Sequence, residues 1–201
     1  MKTITISRQY GSGGRQVAAM LSEKLGIPYY DSNLLLIAGE KYGINPGLLK
    51  EYDERKNSSF LYGIAMLADG YTNQDRIMLP YKLYQAQMDA MKRLVEEGPC
   101  IFVGRCADQI LKDECDLLRV FIYASSMEER ISRIMKVDQV SQREAPARIS
   151  QRDRERKDYY YFHTGQEWGK KENYDLCLNT STLGYEGCVD IIYQMIKSAQ
   201  H

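Results

Sequence analysis

Ile4-Thr-Ile-Ser-Arg-Gln-Tyr-Gly-Ser-Gly-Gly-Arg-Gln-Val-Ala-Ala-Met-Leu-Ser-Glu-Lys-Leu-Gly26 is the stretch that decides the fold. Ile4 and Ile6 alternate with polar residues, the period of a strand. Val17, Met20, Leu21 and Leu25 recur at helical spacing, and Gly26 ends that helix. Between strand and helix lie Gly11, Gly13 and Gly14, with Ser12 among them. Glycines at this density let the backbone take positive φ and approach a ligand without β-carbon clashes. Such a loop delivers backbone N–H groups and the positive end of a helix to one spot, which suits a phosphate. A tight strand-to-helix turn with no ligand would use the same glycines.

Strands are predicted near 3–7, 100–103, 117–123 and 175–178, with helices between them, which implies an α/β fold with a parallel sheet. Residues 27–31 form a short extended piece, and Asp31 or Ser32 can cap a helix over 33–42. Gly43, Pro46 and Gly47 break the chain before a helical piece reaching about Arg55. A Tyr- and Met-rich stretch follows, then a long helix from Pro80 to Glu97, closed by Gly98-Pro99. Ser125-Ser-Met-Glu128 predicts a capping box opening a helix to about Val137. The last helix is expected over 185–198. No internal repeat or low-complexity tract interrupts this order.

The composition excludes several classes. Lys+Arg and Asp+Glu each number 27, so the formal net charge is zero, unlike a protein built to neutralise a nucleic-acid backbone. Five cysteines without a C-x-x-C pair argue against zinc and a disulfide framework, and for reduced core thiols. The chain enters its first strand without a signal-peptide core, and no apolar run approaches the ~20 residues of a membrane span. A cytoplasmic protein with no membrane and no nucleic-acid partner is expected.

Gly11-Ser-Gly-Gly-Arg-Gln-Val-Ala and Leu21-Ser-Glu-Lys-Leu-Gly26 resemble the P-loop of cytidylate kinases and related nucleotide kinases, which usually read G-x-x-G-x-G-K-G-T-x-A and L-A-E-x-L-G. Three departures from that pattern matter. Arg8 replaces the first loop glycine, Gly14 the phosphate-binding lysine, and Gln16 the threonine near Mg²⁺. The string Ser7-Arg-Gln-Tyr-Gly-Ser-Gly-Gly-Arg15 is similar to the variant loop of the cytidylate kinase-like family, and the resemblance runs nearly the full chain. It implies a single domain over 1–201: a P-loop NTPase three-layer α/β/α sandwich with a parallel sheet, a helical acceptor-binding insert near 31–97 and an Arg-rich lid near 141–170.

The same resemblance carries site residues. Gly11, Ser12, Gly13, Gly14, Arg15 and Gln16 would hold the donor phosphates through the loop, with Arg15 standing in for the lysine. Asp31 matches the family's aspartate facing the reaction centre, a role compatible with a plain N-cap. The arginine that grips the acceptor phosphate six residues later is Ile37 here. Arg105, in Gly104-Arg105-Cys106, matches a second acceptor-phosphate arginine, or it is a surface ion pair. Cys106 replaces the base-reading aspartate, so cytosine specificity is not carried over. Tyr residues of the insert stack on a base or simply fill a core.

The most charged segment, 141–157, holds Arg143, Arg148, Arg152, Arg154 and Arg156. Relatives carry R-D-x-x-D-x-x-R here, of which Arg152-Asp153 keeps the first pair. Arg148, Arg152 and Arg156 are spaced by four and share a helix face. That face is either solvated, with Glu144, Asp153, Glu155 and Asp158 as partners, or it closes over a transferring phosphoryl group. His163 and His201 have no assigned role. The resemblance thus implies transfer of a phosphoryl group from a nucleoside triphosphate, ATP with Mg²⁺, to a nucleotide, nucleoside or other small acceptor. A binding or regulatory module that has lost the chemistry is the alternative.

Overall fold

The computed structural model describes residues 1–31 and 73–198. Five strands form one sheet: β1 (Thr3–Arg8), β2 (Tyr29–Tyr30), β3 (Ile101–Val103), β4 (Leu117–Tyr123) and β5 (Leu176–Asn179). Their order is β2-β3-β1-β4-β5. β1 runs parallel to both neighbours, with Ile6 opposite Val103 of β3 and Val120 of β4, and β4 runs parallel to β5. Four of these strands are expected from the sequence. The other, β2, lies in the piece read only as extended, because two tyrosines give no alternation to detect.

Helices α1 (Gly14–Leu25) and α6 (Thr180–Ser198) cover one face of the sheet. Val17, Ala18 and Leu21 of α1 meet Val189, Ile192 and Ile196 of α6 over Ile4, Ile6, Val103, Val120 and Ile122. Burying each valine, leucine or isoleucine side chain among these contributes about 1.5–3 kcal/mol, so both elements flanking the glycine loop stand on the main core. On the other face, Phe121 of β4 packs edge-on against Trp168 and at 5.0 Å from Tyr174. Short α3 (Ala107–Ile110), then α4 (Met127–Asp138) and α5 (Ala145–Thr164), complete this part of the chain. Ile134 of α4 is buried with Ala145 and Ile149 of α5, alongside Tyr10. The result is a parallel sheet with flanking helices.

The chain divides into two compact units, Met1–Tyr29 with Gly98–His201, and Tyr30–Glu97. Of the second unit the structure describes helix α2 (Asn73–Glu97), whose Ala86, Gln87, Ala90 and Met91 are buried. It begins seven residues before the expected Pro80, since proline favours a first helical position without being confined to it. The helices expected over 33–42 and before Arg55, the Tyr- and Met-rich stretch, Ile37 and His201 lie outside the described residues.

Two further readings need correction. The cap of α4 is Ser126, not Ser125: its hydroxyl accepts from the Glu129 N–H at 3.2 Å, while its own N–H goes to the Ser181 hydroxyl. The second serine is held in this place by Ser181, in the first turn of α6, which accepts its N–H. Of the cysteines, Cys100, Cys106 and Cys188 are buried as free thiols, but Cys177 is exposed on the edge strand. Helix α6 is interrupted at Gly184 (φ 67°, ψ 179°), so its regular part begins at 185 as expected. Among the described residues no helix is long and apolar enough to cross a membrane.

Candidate functional site

The loop between β1 and α1 is built on left-handed backbone at Gly11 (φ 79°) and Gly13 (φ 84°). A β-carbon on Gly13 would fall 2.3 Å from a ring carbon of Tyr185, so this position needs glycine twice over. The first helical hydrogen bond of α1 runs from Val17 N–H to the Gly13 carbonyl. The N–H groups of Gly14, Arg15 and Gln16 therefore point out of the helix N-terminus, where an anion is favoured. Arg15 and Gln16 are exposed on that first turn.

Ser12 differs from its loop neighbours. It is 1% exposed, its N–H donates to the Gln9 carbonyl, and its hydroxyl lies 2.9 and 3.2 Å from the Gln9 and Ile122 carbonyls. The Thr180 hydroxyl donates to the Ser12 carbonyl at 2.8 Å. Ser12 thus ties the loop to β4 and to the first residue of α6, with its polar side chain turned inward.

Helix α5 grips the same loop from the other side. Tyr10 N–H donates to Asp153 Oδ1 at 2.7 Å. Arg130 of α4, 5% exposed, donates through Nε to the Tyr10 carbonyl and forms an ion pair with Asp153. Arg156 Nη1 donates to the Arg8 carbonyl at 2.7 Å, its guanidinium 5.6 Å from the Tyr10 ring centre. Lower on α5, the Tyr160 hydroxyl donates to buried Asp108 at 2.6 Å. Ile149, Asp153, Arg156 and Tyr160 share one helix face by their spacing. Burial pushes the carboxyls of both Asp153 and Asp108 above the ordinary value; Arg130 pulls the first back, and the Tyr160 hydroxyl the second.

Of the three arginines placed on one face of this helix, the structure brings Arg156 to the loop. Arg152 pairs with Glu155 on its own helix at 2.7 Å, and Arg148 is half-buried one turn earlier. His163 is half-buried between Tyr159 and Phe162, and burial lowers it to about 4, so it is neutral near pH 7.

The end of β3 carries a second left-handed turn: Gly104, Arg105 and Cys106 have φ of 78°, 61° and 57°. Arg105 is half-buried at this turn, next to the start of α3. Burial pushes the Cys106 thiol well up, which keeps it protonated and unreactive. Asp31 directly follows β2 and belongs to the second unit.

Beside the glycine loop, toward β5, a cleft of about 400 Å³ is lined by Gly11, Ser12, Glu129, Ser181, Tyr185 and Glu186, among others. The Tyr185 hydroxyl accepts from Arg133, whose guanidinium lies 4.8 Å from the ring centre. Sequence reasoning missed Arg130, Tyr185 and this cleft. Arg130 sits in an ordinary amphipathic helix with no signal of its own. Among the described residues no three His, Cys, Asp or Glu side chains converge to hold a metal ion.

Known proteins supply the wider frame. A solved structure of an uncharacterized protein from Eubacterium ventriosum is 24% identical, with a TM-score of 0.73, covering 98% of this chain and 99% of that one. Shikimate kinase from Bacteroides thetaiotaomicron superposes with a TM-score of 0.55 at 12% identity, covering 98% of each chain. The protein TT1252 from Thermus thermophilus gives 0.56 at 18% identity, covering 96% of this chain and 97% of that one. These likenesses show the fold, a parallel sheet with flanking helices of the kind found in shikimate kinase. No curated protein matches the chain. The model of the cytidylate kinase-like family matches residues 3–182, and the chain therefore belongs to the cytidylate kinase-like family.

Proposed function

We propose that this protein is a phosphotransferase that moves a phosphoryl group from a nucleoside triphosphate, ATP with Mg²⁺, to a small acceptor such as a nucleotide, a nucleoside or another hydroxylated metabolite. The observation that carries this reading is the glycine loop itself. It aims the first N–H groups of α1 outward, stands on the main core, and is pinned on the far side by α5. Preorganised donors of this kind are what phosphoryl transfer requires, since its catalysis is mostly positioning and charge stabilisation.

In this reading the backbone of Gly11, Gly13, Gly14 and Arg15 cradles the donor phosphates, and Arg15 adds charge from the outer face. The open cleft beside the loop takes the nucleoside, with Glu129 and Glu186 as acceptors for its hydroxyl or amino groups. Arg105 holds the acceptor, and Arg148, Arg152 and Arg156 act as the lid, Arg156 nearest the loop. As the acceptor oxygen bonds to the terminal phosphorus, the bridge to the nucleoside diphosphate breaks. Asp31 is the candidate to take the proton of an acceptor hydroxyl. Mg²⁺ binds largely through phosphates and water, with one or two protein oxygens. Gln16 offers a neutral oxygen from the first turn of α1, and the ion's chemistry would be to neutralise phosphate charge.

The departures Gly14, Gln16 and Cys106 favour the second reading, a module that binds a phosphate-bearing ligand without turnover. Calorimetry with ATP and GTP, with and without Mg²⁺, separates the two when followed by a broad acceptor screen. Mg²⁺-dependent micromolar binding, weakened in Arg15→Ala, with product formed from one acceptor class is the expected result. Binding with no product across the panel would favour the module, and no binding at all would sink the donor site.

A further inference from the structure

Gly14, the first residue of α1, and Gly104, just past the end of β3, are kept bare by one side chain. A β-carbon on Gly14 would lie 2.5 Å from Arg8 Cβ and 2.9 Å from its Cγ. A β-carbon on Gly104 would lie 2.0 Å from Arg8 Nη1. Arg8 therefore leaves the end of β1, runs its stem across the first residue of α1, and sets its guanidinium against the backbone at the end of β3.

We infer that Arg8 is the principal cation for the donor polyphosphate, replacing the lysine that a P-loop carries at position 14. The inference rests on the phosphotransferase reading for the nature of the ligand. Three observations converge on it. The guanidinium lies at the carboxyl ends of two adjacent parallel strands, where open α/β sheets bind ligands. Its stem fills the space that any side chain at position 14 needs, so Arg8 with Gly14 inverts the placement of glycine and cation in the P-loop pattern G-x-x-x-x-G-K. Its backbone is fixed, because its carbonyl accepts from Arg156 on α5. A guanidinium also holds two phosphate oxygens in one plane, which an ammonium does not. Arg15, by contrast, projects from an exposed site on the outer turn.

The test is calorimetric titration of ATP–Mg²⁺ and of inorganic tripolyphosphate into wild type, Arg8→Gln, Arg15→Ala, Gly14→Lys and the double variant Arg8→Gly/Gly14→Lys. Thermal melts confirm that each is folded. Arg8→Gln keeps much of the stem and removes the charge, so it should weaken both ligands by roughly tenfold to a hundredfold, more than Arg15→Ala does. Gly14→Lys alone should be impaired, because its side chain meets the Arg8 stem, and the double variant should regain most of the affinity. Wild-type binding with Arg8→Gln unchanged, or with the larger loss in Arg15→Ala, would overturn the inference while leaving the phosphotransferase reading intact. If Gly14→Lys binds as wild type does, the exchange argument fails on its own. Wild type that binds neither ligand would overturn both.

Discussion

The turns that end β1 and β3 lie side by side in the sheet and reach the same backbone region with different residues. The glycine loop takes its left-handed positions at Gly11 and Gly13, where no β-carbon opposes them. The second turn follows Gly104 with Arg105 and Cys106, both left-handed although neither is glycine. Each such residue costs about 1–2 kcal/mol relative to its relaxed conformation. Both turns are also tied to α5 through a carboxylate, again by different chemistry. Asp153 reaches the glycine loop with Arg130 as its counter-ion, whereas Asp108 beside the second turn meets the neutral Tyr160 hydroxyl. The glycine loop is thus relaxed and ion-paired, and its neighbour is strained and held by a neutral contact.

Removing Arg130 should break the first half of that contrast most severely. Arg130→Ala leaves Asp153 a half-buried carboxylate without its ion-pair partner, with only the more distant charge of Arg156 remaining, and takes a donor from the Tyr10 carbonyl. Breaking one side of a buried pair costs about 3 kcal/mol, readable as a shift of the urea midpoint. Asp153→Asn added to it should recover part of the loss. A single variant as stable as wild type would mean that the ion pair does not hold the loop.

The contrast also separates what the sequence made legible from what it did not. The glycine loop was readable because glycine spacing records backbone conformation directly, and the strands around it because Ile4, Ile6 and Leu118, Val120, Ile122 alternate. The strain at Arg105 and Cys106 was not readable, since both are ordinary residues forced into place by tertiary structure. Asp153 was visible as one half of a lid motif, yet its contacts run to Tyr10 and Arg130, partners 143 and 23 residues away. Arg8 was visible only as a lost glycine. That its stem takes the room of the missing lysine is a fact of three-dimensional packing, which no single-chain pattern encodes.

Arg105→Gly sharpens the comparison with a smaller effect of opposite sign. Relief of the left-handed strain, less the added freedom of glycine in the unfolded chain, should stabilise the protein by about 0.5–1 kcal/mol. If Arg105 holds the acceptor, the KM for that acceptor rises in the same variant. Greater stability with unchanged kinetics would remove Arg105 from the site; lower stability would mean that its side-chain contacts outweigh the strain.

The smallest effect concerns the neutral contact at the second turn. Burial raises the Asp108 carboxyl above its ordinary value of 3.8, with the Tyr160 hydroxyl opposing the shift only in part. A carboxyl raised in the folded state contributes stability that is fully present below the ordinary value and is lost as pH rises through the folded one. Asp108→Asn has no proton to lose and still offers an oxygen to Tyr160. The stability of the variant minus that of wild type should therefore be most positive near pH 7 and decline steadily as pH falls toward about 4. His163, lowered to about 4 by its own burial, contributes with the opposite sign, losing stability as pH falls, but it is common to both proteins and cancels. Asp153 cancels likewise. Urea midpoints across that pH range decide the matter: a flat difference would mean that Asp108 bears no burial cost, and the two turns would then differ in strain alone.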